Sequence, residues 1–252
     1  MCLILIAHQF NKQTPLLVLA NRDEFYDRPA KEAAPWDECS ELIAGQDLAS
    51  GGCWFGARGL RWASVTNVRE DMKPSDRHRS RGWLVRDYLL SNDSPQDFLS
   101  KIANQIGAYP GFNLLAGNGQ GLWYCSNRGP VAQRLDPGIY GLSNHLIDTP
   151  WPKVKRGKEA VRELMSQPQI DHDKAFAILT DTTQIADADL PETGIPLEWE
   201  RSLSAAFIRT QDYGTRCSTL LMRTAGSNHF FVERRFAVSP ESWEESRFSW
   251  TA

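Results

Sequence analysis

Apolar runs of strand length that fold back through Gly or Asn recur along this chain and favour antiparallel sheet over alternating strand-helix-strand. GGCWFGARGLRWASVTN turns at Arg58-Gly59, FNLLAGNGQGLWYCSN at the loop from Gly117 to Gly121, and TRCSTLLMRTAGSNHFFVERRF at Ala225 to Asn228. Each carries the residues that tight hairpins select. Near the start, Leu3 to Ala7 and Leu16 to Ala20 flank the polar stretch HQFNKQTP, which suits a hairpin connection. That hairpin sets Cys2 at the head of one buried strand and Asn21, Arg22 and Asp23 at the tail of its neighbour, with the two ends side by side.

Helices are predicted in the gaps. One covers about Gly82 to Leu90. A second starts at the cap pair Ser94-Pro95, carries the stripe Phe98, Leu99, Ile102, Ala103 and Ile106, and closes at Gly107. Others cover Pro152 to Gln167 and Asp171 to Leu179, while DADLPETGIPLE at residues 187–198 reads as a long exposed loop. Strands with helices grouped between them predict an α+β fold, and a chain of 252 residues is long enough to form it as a single domain over residues 1–252.

A formal charge of −3 gives no whole-molecule field for nucleic acid or an anionic membrane, so a small molecule or another protein is the expected partner. REDMKPSDRHRSRGWLVR holds Arg69, Lys73, Arg77, His78, Arg79, Arg81 and Arg86, but Glu70, Asp71 and Asp76 are interspersed, and a solvated loop before a helix is expected there. Gly117-x-Gly119-x-Gly121 lacks the dinucleotide fingerprint. The apolar opening is too short for a secretion signal and no stretch reaches membrane-span length, which predicts a cytoplasmic protein. The five cysteines (Cys2, Cys39, Cys53, Cys125, Cys217) form no Cys-x-x-Cys pair and the five histidines no His-x-x-x-His spacing, so reduced thiols and no metal site are expected.

The chemistry concentrates at Cys2. Removal of Met1 would leave Cys2 with a free α-amine beside its thiol, a nucleophile and a base in one residue. The amine's reference pKa of about 7.7 to 8.0 leaves a useful neutral fraction near pH 7. A nearby Arg22 would favour the thiolate and Asp23 would orient the ammonium. A small buried hydrophobe beside an ordinary strand-end ion pair fits the same residues.

The Met-Cys start, ANRDEFYDRP, GFNLLA at 111–116, YGLSN at 140–144 followed by TPW, and YGTRCSTLL at 213–221 resemble the NRDE family, also called the transport and Golgi organisation two family. The matching segments run in order over nearly the whole chain. That family is similar to N-terminal nucleophile hydrolases of the cysteine amidase type. The resemblance implies a four-layer αββα sandwich of two antiparallel sheets and an amide- or acyl-cleaving site that works through a Cys2 thioester. Its members would be Cys2, Arg22, Asp23, Asn67, Asn144 and Arg216, with the asparagines holding the oxyanion. Those amidases separate the arginine and aspartate by three residues, whereas Arg22 and Asp23 are adjacent, and a regular strand turns only one of them toward Cys2.

The family link also implies an alternative without catalysis, a carrier of haem or an acyl-lipid such as acyl-coenzyme A in the same pocket. No cofactor is then required for hydrolysis, and haem would be a bound ligand. His8 and His145 are the candidate haem ligands, with nine tryptophans available for a flat aromatic group.

Overall fold

A computed structural model describes residues 2–70 and 78–252. Met1 and the basic-run residues Lys73 and Arg77 lie outside the described residues. In chain order the first elements are β1 (Cys2–His8), β2 (Leu16–Phe25), β3 (Ala30–Trp36), β4 (Cys39–Asp47), β5 (Phe55–Arg58) and β6 (Arg61–Asn67). There follow α1 (Gly82–Leu90), α2 (Pro95–Ala103), β7 (Phe112–Asn118), β8 (Gly121–Ser126), β9 (Gln133–Leu135) and β10 (Gly138–Leu142). The last are α3 (Pro152–Met165), α4 (His172–Leu179), α5 (Leu197–Leu203), β11 (Tyr213–Arg223), β12 (Asn228–Phe236) and β13 (Trp243–Thr251). The chain is α+β, as expected, with two antiparallel sheets and helices packed on each.

Contacts sort the chain into two compact units. The first holds Met1–Asp27, Pro137–Ser143 and Ile147–Thr251 and is built on the six-stranded sheet β10-β1-β2-β11-β12-β13. One face of this sheet alternates Leu3, Leu5 and Ala7 on β1 with Leu17 and Leu19 on β2, and it buries them under Val154 and Val161 of α3 and Phe176 and Leu179 of α4. Gly157 permits the close seat of α3, because a Cβ there would lie 2.7 Å from the Leu5 side chain. β2 is longer than its apolar run suggests. It continues through Asn21, Arg22 and Asp23 to Phe25, so these polar residues are inside a strand that β1 and β11 pair on both sides.

The second unit holds Arg28–Asp136 and Asn144–Leu146, on the seven-stranded sheet β3-β4-β5-β6-β7-β8-β9. Leu84, Val85, Tyr88 and Leu89 of α1 and Phe98, Leu99 and Ile102 of α2 cover one of its faces. The expected turn at Arg58-Gly59 forms between β5 and β6, with Gly59 at φ +55°. The Ser94 hydroxyl accepts the Asp97 N–H and Pro95 opens α2, as the cap pair predicts. That helix stops at Ala103, and Ile106 falls in a separate 3-10 turn, Ile106–Ala108. In the described part of the basic run, Arg86 pairs with Glu38 at 2.8 Å and Arg81 Nε donates to the Gly111 carbonyl at 2.9 Å.

Candidate functional site

Cys2 stands directly across from Arg22, and Arg22 directly across from Cys217 on its other side. Cross-strand partners share a face, so Cys2, Arg22 and Cys217 form one row. Its face is the one away from α3 and α4, because Leu3 and Leu19, the residues that alternate with it, belong to the helix-covered core. The alternation divides Asn21-Arg22-Asp23-Glu24 into two pairs. Arg22 and Glu24 share the Cys2 face, whereas Asn21 and Asp23 face the helices. The adjacency of Arg22 and Asp23 is thereby resolved in favour of Arg22.

The helix-side pair is bonded in place. Asn21 Nδ2 donates to the carbonyls of Leu179, at 2.8 Å, and Ala206, at 2.9 Å, and its Oδ1 accepts from Ser218 Oγ at 2.6 Å. Asp23 Oδ1 accepts from Thr215 Oγ1 at 2.6 Å, and the Tyr213 hydroxyl donates to the Asp23 carbonyl at 2.9 Å. Asp23 still reaches Cys2 through its backbone, whose N–H bonds the thiol.

Arg216 enters through an irregularity. Thr215 pairs with Asp23 and Cys217 with Arg22, so one extra residue, Arg216, bulges from β11 opposite that dipeptide. Its Nη1 donates to the Phe25 carbonyl at 2.7 Å, and its pKa is lowered by burial and by the neighbouring Arg22 charge.

The electrostatics hold the thiol protonated at rest. Part of Cys2 meets solvent, but burial pushes its thiol above the ordinary value and the Asp23 carboxylate adds to this, while the Asp23 N–H and Arg22 pull it back. Burial also raises the Asp23 carboxyl, against the pull of Lys153 and the Thr215 hydroxyl. Lys153 is itself buried, its Nζ donating to the Leu203 carbonyl at 2.7 Å. Cys217 is raised well above an ordinary thiol by burial and by the adjacent Glu233 carboxylate. Sequence reasoning passed over Lys153, Thr215, Cys217 and Glu233. Only the register through the bulge brings Thr215 to Asp23 and Cys217 to Arg22.

Three of the remaining candidates, Asn67, Asn144 and His145, belong to the second unit. There Asn144 Nδ2 donates to the Asn67 carbonyl at 3.0 Å and the Arg69 N–H donates to the Asn144 carbonyl at 2.7 Å. His145 is exposed in the same unit, its carbonyl accepting from Asn113 Nδ2 at 2.9 Å. His8 is buried at the far end of β1, six residues from Cys2, which is about 20 Å of strand. A cleft of about 370 Å³ opens on the helix side of the first unit, lined by Leu3, Lys153, Arg156, Gly157 and Ala206 among others. Cys2, on the opposite face, does not line it. Among the described residues no helix is long and apolar enough to cross a membrane.

The comparisons agree with the motifs that this geometry organises. The chain is 33% identical to the Transport and Golgi organization 2 homolog of Mus musculus, with 94% of this chain and 92% of that protein covered. It is 36% identical to the Transport and Golgi organization protein 2 homolog of Bos taurus, over 91% and 90%. The Drosophila melanogaster protein of that name is 26% identical over 98% and 96%. The profile described as Transport and Golgi organisation 2 matches residues 1–238, spanning the Cys2, Arg22 and Arg216 segments alike, and the chain belongs to that family.

Proposed function

We propose that Cys2 is a nucleophile that cleaves an amide or acyl bond through a thioester. The observation that carries this reading is the direct pairing of Cys2 with Arg22, reinforced by the bulge that adds Arg216 beside Arg22. A cation across from a thiol and a backbone N–H on its sulfur stabilise a thiolate that burial otherwise disfavours, so charge is developed when the proton leaves rather than held at rest. With Met1 removed, the α-amine takes the thiol proton. Sγ adds to the substrate carbonyl, the carbon–nitrogen bond of an amide or the carbon–sulfur bond of a thioester breaks, and the proton goes to the leaving group. Water then hydrolyses the thioester and regenerates the thiol.

Two measurements test it. Intact mass of protein from its native host should lack Met1. A carbonyl electrophile should acylate Cys2 in preference to Cys39, the other part-exposed thiol, and Cys2→Ala should abolish turnover across a panel of amides and thioesters without lowering thermal stability. Retained Met1 together with equal labelling of Cys2 and Cys39 would leave the non-catalytic carrier of an acyl or haem ligand as the better account.

A further inference from the structure

At the other end of the same sheet face a second row of side chains aligns. His8 pairs with Leu16, Leu16 with Arg223, Arg223 with His229, and His229 with Trp250, all directly across adjacent strands. The row runs parallel to Cys2-Arg22-Cys217, about 20 Å along β1.

Three features of this row point to an anion site. Arg223 is half-buried, and among the described residues no hydrogen bond or ion pair reaches its guanidinium. His229 is 3% exposed, yet its Nε2 has no hydrogen-bond partner. Trp250 lies flat against the His229 ring, with centroids 5.2 Å apart and planes at 11°, so the imidazole is held with its edge fixed. A buried polar nitrogen without a hydrogen-bond partner and a half-buried cation without a counter-charge are each costly. Side by side they offer what an oxyanion needs, a planar fork of N–H donors and a second N–H at a fixed angle.

We propose that Arg223 and His229, with Trp250 as the wall behind the imidazole, bind an oxyanion, a phosphate or a carboxylate. The guanidinium takes two oxygens and His229 Nε2–H donates to an oxygen of the same group. Burial lowers the pKa of both residues, and the Arg223 charge lowers that of His229 further, strains that a bound anion relieves. The site is independent of the Cys2 chemistry and stands whether or not Cys2 is a nucleophile.

Calorimetric titration of the full chain with inorganic phosphate, and separately with acetate, tests the assignment and distinguishes the two oxyanion classes. One of the two should bind with one-to-one stoichiometry and shift the His229 imidazole resonances in NMR. Arg223→Gln should weaken it by about tenfold or more, the worth of a charge-assisted bond, and His229→Asn should weaken it too. Arg247→Gln, on an exposed and already paired arginine, should leave it unchanged. Arg223→Gln removes an uncompensated charge and should not lower thermal stability, so its loss of binding is not a loss of fold. Failure of both anions to bind, or binding that Arg223→Gln leaves unaltered, would overturn the site.

Discussion

Replacing Asn21 by alanine tests whether half of the Asn-Arg-Asp-Glu stretch is structural. Asn21 is 2% exposed, and its amide carries three hydrogen bonds, two to the carbonyls of Leu179 and Ala206 and one from the Ser218 hydroxyl. Leu179 is the last residue of α4, so one of these bonds satisfies a carbonyl that the helix itself cannot. At about 1 kcal/mol net for each bond, Asn21→Ala should cost about 3 kcal/mol. For a chain of this size that is a fall in Tm of about 6 to 12 °C. Urea unfolding of wild type, Asn21→Ala, Ser218→Ala and the double variant, followed by circular dichroism and tryptophan fluorescence, measures it. The Ser218→Ala step should cost about 1 kcal/mol less once Asn21 is gone, because its acceptor has already been lost. A loss below about 1 kcal/mol for Asn21→Ala, or strict additivity in the cycle, would refute the structural role.

Two other outcomes follow from packing and charge. Gly214→Ala should destabilise by about 1 to 3 kcal/mol in thermal unfolding, since its Cβ would lie 2.6 Å from the Ile208 backbone oxygen and also strike the Tyr26 hydroxyl. The Cys125 thiol, pushed by burial from 9.0 up to about 12, holds its proton more tightly folded than unfolded. Its contribution to stability is therefore whole below pH 9.0 and is lost as the pH rises toward about 12, at about 1.4 kcal/mol per pH unit. Cys125→Ala should flatten the alkaline decline of the urea-derived unfolding free energy by that amount relative to wild type.

Elements with strong local signals were legible in the sequence. The three Gly- and Asn-marked hairpins form, α1 has the expected bounds, and α3 and α4 end within two residues of theirs. β3 was not legible because AKEAAPW is poor in β-branched residues and its apolar alternation is weak, and β13 because it is an edge strand with most residues exposed. Leu197 and Glu198, read as loop, open α5, whose two turns are too short to display a helical period; its start is marked instead by Pro196, Glu198 and Glu200. At the site, the adjacency of Cys2 and Arg22 was legible because a hairpin with buried faces fixes its register. Glu233 and Cys217 were not, because β11 is far from β2 in sequence and no connecting turn fixes the register between them.

The bulge in β11 acts as a change of phase within a single strand. Thr215 and Cys217 are two apart, so an unbroken strand would show both on one face, yet Thr215 bonds the helix-side Asp23 while Cys217 shares the face of Arg22 and Cys2. Removing the one residue between them would make them neighbours, which a regular strand turns to opposite faces, so each would keep its partner. What would go is the Arg216 side chain alone, while Leu221 and the Arg223 of the far row would stay on the face they now share with Arg22. The insertion thus carries a side chain and not a pairing, and β11 can shorten by one residue there while holding its register.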